Sequence, residues 1–326
     1  MKAKSAFRLS VPAVPGIVKT RHLVKNDRAM KYTTHPPPAA LRDYVEHLWT
    51  VECDGEERPG LTLKFFVNCA PCVVFQHLDG HSAITGKITA GGAESCSRRH
   101  PTSFLRGPTT QPFQCLTAGA LSAIGVELKP HATSALLGVD ATDTSDRMID
   151  LNAFSGDNLG ERLLNAGTQR DRLEIVAAFL TDRAQASRET DALVMESLQL
   201  IRDHVGFIRV HRLLKRLHMS ERQFERRFSR AIGIPARLYL RIMRFQEVVR
   251  LMQAGRVERL SDLAYDLGYT DQSHFIKDVR EFTGHTPKRL SQAVDECAEM
   301  MRYRALIRQR ILIRQDNGET VSGQAA

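Results

Sequence analysis

The spacing of hydrophobic and polar positions changes character near residue 190. Upstream, the apolar stretches are short and are broken by Gly, Pro and Asp, at 61–68, 72–77, 83–89, 103–105, 113–117 and 123–128. Runs of this length between turn residues predict the strands of a β-sandwich or small barrel. An amphipathic helix is predicted over 41–49, from Leu41, Val45, Leu48 and Trp49. Further helices are predicted around 132–137, 159–164 and 170–186. The polar stretch 186–191 reads as a linker or helix cap.

Downstream the period becomes helical. Leu193, Val194, Leu198 and Ile201 share one face over 191–205. Two similar helix-turn-helix units then follow. In the first, Val210, Leu213, Leu214 and Leu217 form an apolar face and His218-Met219 makes the turn. Ser220 is placed to cap the next helix, on which Phe224 and Phe228, four apart, point inward. Gly233 ends that helix, where a positive φ costs glycine little. A long helix after Pro235 carries Leu238, Tyr239, Ile242, Phe245, Val248, Val249 and Met252 on one side. The second unit opens at 260–264, turns at Gly268 and restarts with Asp271 as cap and Phe275 and Val279 inside. The outer faces of the two second helices, 220–231 and 271–282, are left with Arg222, Glu225, Arg226, Arg227 and Arg230, and with Gln272, Ser273, His274 and Lys277.

Charge sharpens this pattern. The 326 residues carry a formal net charge of +9, which favours a polyanionic partner. Between Ile208 and Arg250 twelve Lys/Arg stand against three acids, whereas 251–290 holds six of each. The basic excess therefore lies on the first unit. Arg bonds bidentately to guanine O6 and N7 or clamps phosphate, and Gln pairs with adenine edges. A Glu can accept from cytosine N4. No apolar run reaches the ~18–20 residues of a membrane span. The basic N-terminus lacks the apolar core of a secretion signal, so the six cysteines are read as reduced thiols of a cytoplasmic protein.

Several strings resemble the DNA-binding domain of the AraC/XylS family of bacterial transcription regulators. They are Met219-Ser220-Glu221-Arg222-Gln223-Phe224-Glu225-Arg226-Arg227-Phe228, Gly233-Ile234-Pro235, Ala264-Tyr265-Asp266-Leu267-Gly268-Tyr269, Asp271-Gln272-Ser273-His274-Phe275 and Gly284-His285-Thr286-Pro287. The likeness covers 189–291. It implies two reading helices in successive major-groove segments on one face of double-stranded DNA. By the resemblance Arg222, Glu225 and Arg226 take base-reading positions in the first, and Gln272, Ser273, His274 and Lys277 in the second. Arg230 is added as a DNA contact. The sequence departs from the family pattern at Leu214, at Val279 and at Leu290-Ser291. The expected partners are DNA, a small-molecule effector, RNA polymerase and a second copy of the chain, with no membrane, cofactor or metal. The expected architecture is α+β: a basic disordered arm at 1–37, a β-rich sensor or dimerisation domain at 38–187, an all-α reader at 188–292 with its two units joined by a long helix, and a tail at 293–326.

The N-terminal half carries less chemistry. Around Leu41–Trp49, Gly125–Pro130 and Ala135–Val139 it is similar to the N-terminal domain of a subgroup of these regulators. Cys69-Ala70-Pro71-Cys72, with His77 and His81 downstream, has a spacing that can hold zinc or form a redox pair. On a strand, though, alternate residues point to opposite faces. Arg98, Arg99 and His100 form either an anion site or a solvated loop. Trp49 and Phe113 either line a pocket or pack in the core. No phosphate loop, nucleophile elbow or carboxylate pair points to catalysis. Two rivals stay open: a repair, redox or metal-responsive protein using N-terminal cysteines with the same reader, and a non-specific binder driven by the basic segment.

Overall fold

The computed structural model describes residues 30–53, 61–78, 84–89, 92–117, 120–155, 159–187, 190–204, 208–254 and 260–296. The N-terminal part is built on two antiparallel sheets. The larger contains β1 (Met30–His35), β2 (Val45–Cys53), β4 (Cys72–Leu78), β7 (Ser103–Arg106), β9 (Leu121–Leu128) and β10 (Met148–Asp150), in the order β1-β2-β9-β4-β7-β10. The smaller contains β3 (Leu61–Phe65), β5 (Ile84–Thr89), β6 (Gly92–Arg99) and β8 (Phe113–Thr117), in the order β3-β8-β5-β6. The six apolar runs read from the sequence become β3, β4, β5, β7, β8 and β9.

Three expectations change. The predicted helix over 41–49 is a 3-10 turn at Ala39–Leu41 followed by β2. The cause is a bulge between Val45 and His47, where the pairing with β9 shifts register. One extra residue reverses the in–out alternation. Val45 and Leu48, three apart, therefore face the same core and imitate a helical repeat. The second change is β1, which pairs with β2 from Met30↔Cys53 to His35↔Leu48, inside the stretch assigned to the basic arm. Residues 1–29 lie outside the described residues, as does the tail from 297. The third is α11 (Pro287–Glu296), which carries helix past the expected end of the reader.

The large sheet is covered on one face by α1 (Ala132–Leu137), α3 (Leu159–Asn165) and α4 (Gln169–Gln185), with α2 (Asn152–Ser155) leading into α3. Val73, Phe75, Leu105, Ile124, Val126 and Leu128 meet Leu136, Leu163, Val176 and Leu180 there. Its other face, with Val51, Leu121 and Ala123, packs with Cys115 of β8 in the smaller sheet, and Tyr32, Trp49, Leu63 and Phe65 pack against this cluster. Gly125 sits opposite Trp49 in the register, and a Cβ there would lie 2.2 Å from the indole. Trp49 stacks on Tyr32 at 5.9 Å and Phe113 on Phe65 at 4.6 Å, so both aromatics pack rather than line an open pocket.

The C-terminal part is α5 (Ala192–Asp203), α6 (Val210–Leu217), α7 (Glu221–Ile232), α8 (Ala236–Gln253), α9 (Leu260–Asp266), α10 (Gln272–Thr283) and α11. Phe224, Phe228, Phe245, Phe275 and Phe282 are fully buried in its core. Each such ring contributes ~1.5–3 kcal/mol by leaving water. No helix among the described residues is long and apolar enough to cross a membrane.

Candidate nucleic-acid interface

Each unit is built by local chemistry that the sequence spells out. His218 turns α6 into α7 in the left-handed region at φ 51°, and the Ser220 hydroxyl accepts from the Gln223 N–H. Gly233 ends α7 at φ 98°, its N–H donating to the Ser229 carbonyl at 2.7 Å. In the second unit Gly268 turns at φ 70° and the Asp271 carboxylate accepts from the His274 N–H at 2.8 Å. Gly284 closes α10 at φ 72°. The helix α8, about 27 Å long at 1.5 Å per residue, separates the two reading helices.

Burial sorts the outward residues. Arg222 and Arg226, one turn apart, are exposed on α7. Gln272, Ser273 and Lys277 are exposed on α10. His274 is half-buried, its ring 5.8 Å from Tyr269 and nearly perpendicular to it. These six remain available to a ligand outside the protein.

The other two proposed contacts have partners within the chain. Glu225 is half-buried, and its Oε2 accepts from the Ala236 N–H at 3.0 Å. That amide is one of the donors a helix start leaves unpaired, and Pro235 provides no side-chain cap. Glu225 therefore closes the corner between α7 and α8 through one of its carboxylate oxygens. Arg230 lies 3.6 Å from Asp140 of the N-terminal part. Its neighbour Arg227 is held by Asp191, with Nε and Nη2 donating to the two carboxylate oxygens at 2.6 and 2.7 Å. Neither link is visible in local sequence.

The structure also adds residues that the sequence reading passed over. On α6, His211, Arg212, Lys215 and Arg216 are all exposed, opposite the buried Val210, Leu213 and Leu217. Their signal was the polar complement of an apolar face already recognised. The equivalent helix of the second unit, α9, instead exposes Asp262, Tyr265 and Asp266.

Buried charge holds α10 against α8. Asp278, fully buried, takes Arg241 Nη2 at 2.6 Å, and Arg241 also reaches Glu281 at 2.8 Å. Burial alone would lower the Arg241 pKa, but the two carboxylates hold it above the usual guanidinium value. Arg244 lies 5.0 Å over the Tyr269 ring.

Among the described residues, the N-terminal part touches the reader around Ser134 and Ser145 and around Phe66. Ser145 Oγ donates to the Gly233 carbonyl at 2.6 Å, and Ser134 Oγ to that of Ala231 at 3.4 Å. Elsewhere Phe66, Val67 and Cys69 join the core of the reader itself. Beside the first contact is a cavity of about 310 Å³ between α1, the start of α5 and α7. Ala135, Val139, Val194 and Met195 give it apolar walls, and the Asp140–Arg230 and Asp191–Arg227 pairs give it charge. His131 also lines it, with its pKa pushed down to about 4 by burial and by Lys129.

Of the cysteine motif, Cys69 is buried in the reader's core and Cys72 on β4, and neither forms a disulfide. Burial pushes the Cys115 thiol up to about 12, which suppresses the nucleophilic thiolate. Among the described residues no three His, Cys, Asp or Glu side chains are grouped to hold a metal. His81 and Cys297, and the side chains of Cys53, His77, Cys96, Arg98 and Arg99, lie outside the described residues. His100 is buried with its edge on Phe104, not part of a solvated loop.

Comparison with known proteins adds two family matches. Residues 213–293 match a helix-turn-helix domain, and residues 33–150 match a domain of unknown function, DUF6597. None of the curated proteins matches the chain. Among solved structures it is similar to ToxT from Vibrio cholerae O395 bound to (E)-4-(8-methylnaphthalen-1-yl)but-3-enoic acid, at 10% identity over 82% of this chain and 100% of that one, with a TM-score of 0.41. It is also similar to the AraC-like transcriptional activator CuxR, at 15% identity over 61% of this chain and 76% of that one, with a TM-score of 0.22. A vicilin from Solanum melongena matches at 12% identity over 32% of this chain and 29% of its own, with a TM-score of 0.21. These scores are low, and the assignment rests instead on the helix-turn-helix match and on the two capped units around α8. On those grounds residues 213–293 form a helix-turn-helix domain of the AraC type.

Proposed function

We propose that the protein reads a specific DNA sequence by inserting α7 and α10 into successive major-groove segments, under control of its N-terminal domain. The observation that carries this reading is the division of each reading helix into a sealed aromatic face and an exposed polar one. Phe224 and Phe228 are buried while Arg222 and Arg226 are free, and Phe275 is buried while Gln272, Ser273 and Lys277 are free. Recognition helices contact base edges from near their N-termini, and Arg222, Gln272 and Ser273 stand there. The cations of α6 supply the phosphate contacts that fix register without reading sequence.

A small-molecule effector acts, in this proposal, at the cavity behind α7, where it would alter the Asp140–Arg230 and Asp191–Arg227 pairs directly. RNA polymerase and a second copy of the chain are further proposed partners. The test is selection of bound DNA from a random pool by the full-length protein, followed by affinity measurement across salt concentrations. Two enriched half-sites about one helical turn apart are expected. Arg226→Ala should weaken specific binding by about tenfold or more and relax one base position. Tight, salt-sensitive binding without enrichment would replace this reading with a non-specific binder.

A further inference from the structure

The segment Phe66–Ala70 lies between β3 and β4 in the chain but packs with the reader. Phe66, Val67 and Cys69 are 3%, 1% and 1% exposed and share one core with α8 and α10. The Phe66 ring meets Phe245 of α8 edge-on at 6.1 Å, and Phe245 meets Phe282 of α10 at 5.5 Å. The Val67 N–H donates to the Phe282 carbonyl at 3.4 Å, one of the groups that the last turn of a helix leaves without an internal partner. Gln246 Nε2 donates to the Val67 carbonyl at 3.4 Å and to Asn68 Oδ1 at 3.1 Å.

The same segment is mounted rigidly on the sensor. Asn68 and Thr109 exchange backbone hydrogen bonds of 3.0 and 2.8 Å. Asn68 Nδ2 also donates to the buried Glu127 of β9 at 3.3 Å. Before the start of α8, Ser145 and Ser134 hold the carbonyls where α7 turns into it. Gly233 fits so closely there that a Cβ would stand 2.8 Å from the Ala141 carbonyl oxygen. The reading helices are thus linked twice, once through α8 and once through the β domain.

We infer that Phe66, Val67 and Gln246 are positioning residues that set the separation of the two reading helices, and so the half-site spacing the protein accepts. A shift of the 66–70 segment relative to 140–145 would change that separation without touching a base-reading side chain. This inference rests on the reading that both units contact bases.

The experiment is random-pool selection with full-length wild type, Phe66→Ala, Phe66→Leu and Gln246→Ala, followed by affinities for duplexes with one and with two half-sites. Phe66→Ala and Gln246→Ala are expected to keep the wild-type bases but to accept spacings one or two base pairs either side. Losing the fixed geometry should cost about tenfold in affinity for the two-half-site duplex and nothing for the single half-site. Phe66→Leu should restore most of the preference. Gln246 is half-buried, so its variant decides the matter if Phe66→Ala fails to fold. Wild-type spacing and affinity in a folded Gln246→Ala protein would overturn the inference alone. A wild type that enriches one half-site would overturn the two-unit reading, and this inference with it.

Discussion

Glu225 separates a base-reading carboxylate from a structural one. Replacing it by Ala removes the acceptor for the Ala236 N–H at 3.0 Å and leaves the start of α8 with no side-chain cap, since Pro235 supplies none. Losing a helix-start acceptor costs about 0.5–2 kcal/mol. The carboxylate also faces the positive end of the helix dipole, worth about 0.3–1 kcal/mol. Together the expected loss is about 0.8–3 kcal/mol. Glu225→Gln keeps an acceptor and loses the charge, so it should forfeit only the smaller part. Urea denaturation of the full chain, followed by its helical circular dichroism, should show the reader's midpoint falling by roughly 0.4–1.5 M for the Ala variant, at a slope of about 2 kcal/mol/M. Random-pool selection should return the wild-type base preferences. The reasoning is refuted by the reverse result: an unchanged midpoint together with loss of a cytosine preference at one position, which would make Glu225 a base reader.

Two further outcomes follow from buried charge. Burial alone would raise the Asp191 pKa, but hydrogen bonds from Arg227, Val194 and Leu193 and the charge of Arg227 hold it below its ordinary value of 3.8. A lowered carboxylate contributes stability above that ordinary value and loses it as pH falls through the folded one, so denaturation curves between pH 6 and pH 2 should show an acid-labile contribution that Asp191→Asn removes. Arg241→Ala, which strips the fully buried Asp278 of its cation, should cost about 3–5 kcal/mol, whereas Glu281→Ala, at 40% exposure, should cost under about 1 kcal/mol in the same assay.

Much of the reader was legible because its signals are local. Ser220, Asp271, Gly233 and Gly268 take the caps and turns their chemistry suggests, and the Phe224–Phe228 pair points inward as its spacing requires. The β domain was legible only where strands alternate cleanly. The bulge at Val45–His47 gave β2 a helical spacing, and β1 has polar residues at alternating positions of an edge strand, so no apolar run announced it. At the candidate site, exposure could be read from the helical period for Arg222, Arg226, Gln272, Ser273 and Lys277. The fates of Glu225 and Arg230 could not. Their partners, the Ala236 amide and Asp140, are 11 and 90 positions away, and only the tertiary fold brings them together.

The two units are unequal in a way that bears on how the proposed reading would work. The first helix of a helix-turn-helix crosses the DNA backbone. In the first unit that helix exposes His211, Arg212, Lys215 and Arg216; in the second it exposes Asp262, Tyr265 and Asp266. Phosphate neutralisation scales affinity and its salt dependence, so on this reading the first unit supplies most of the binding strength. Carboxylates beside phosphate oppose it, and the second unit then adds discrimination only if α10 is held in place by something other than its own grip on DNA. The Arg241–Asp278 pair and the Phe66–Phe245–Phe282 contact supply that hold from behind. A weakly anchored reading helix depends more on its mounting than a strongly anchored one does. The mounting here includes a segment of the β domain, so on the proposed reading a change in that domain reaches the second unit as well as the first. On the proposed reading, a shift of the 66–70 segment therefore changes selectivity through the second unit, while the cavity behind α7 acts on the first.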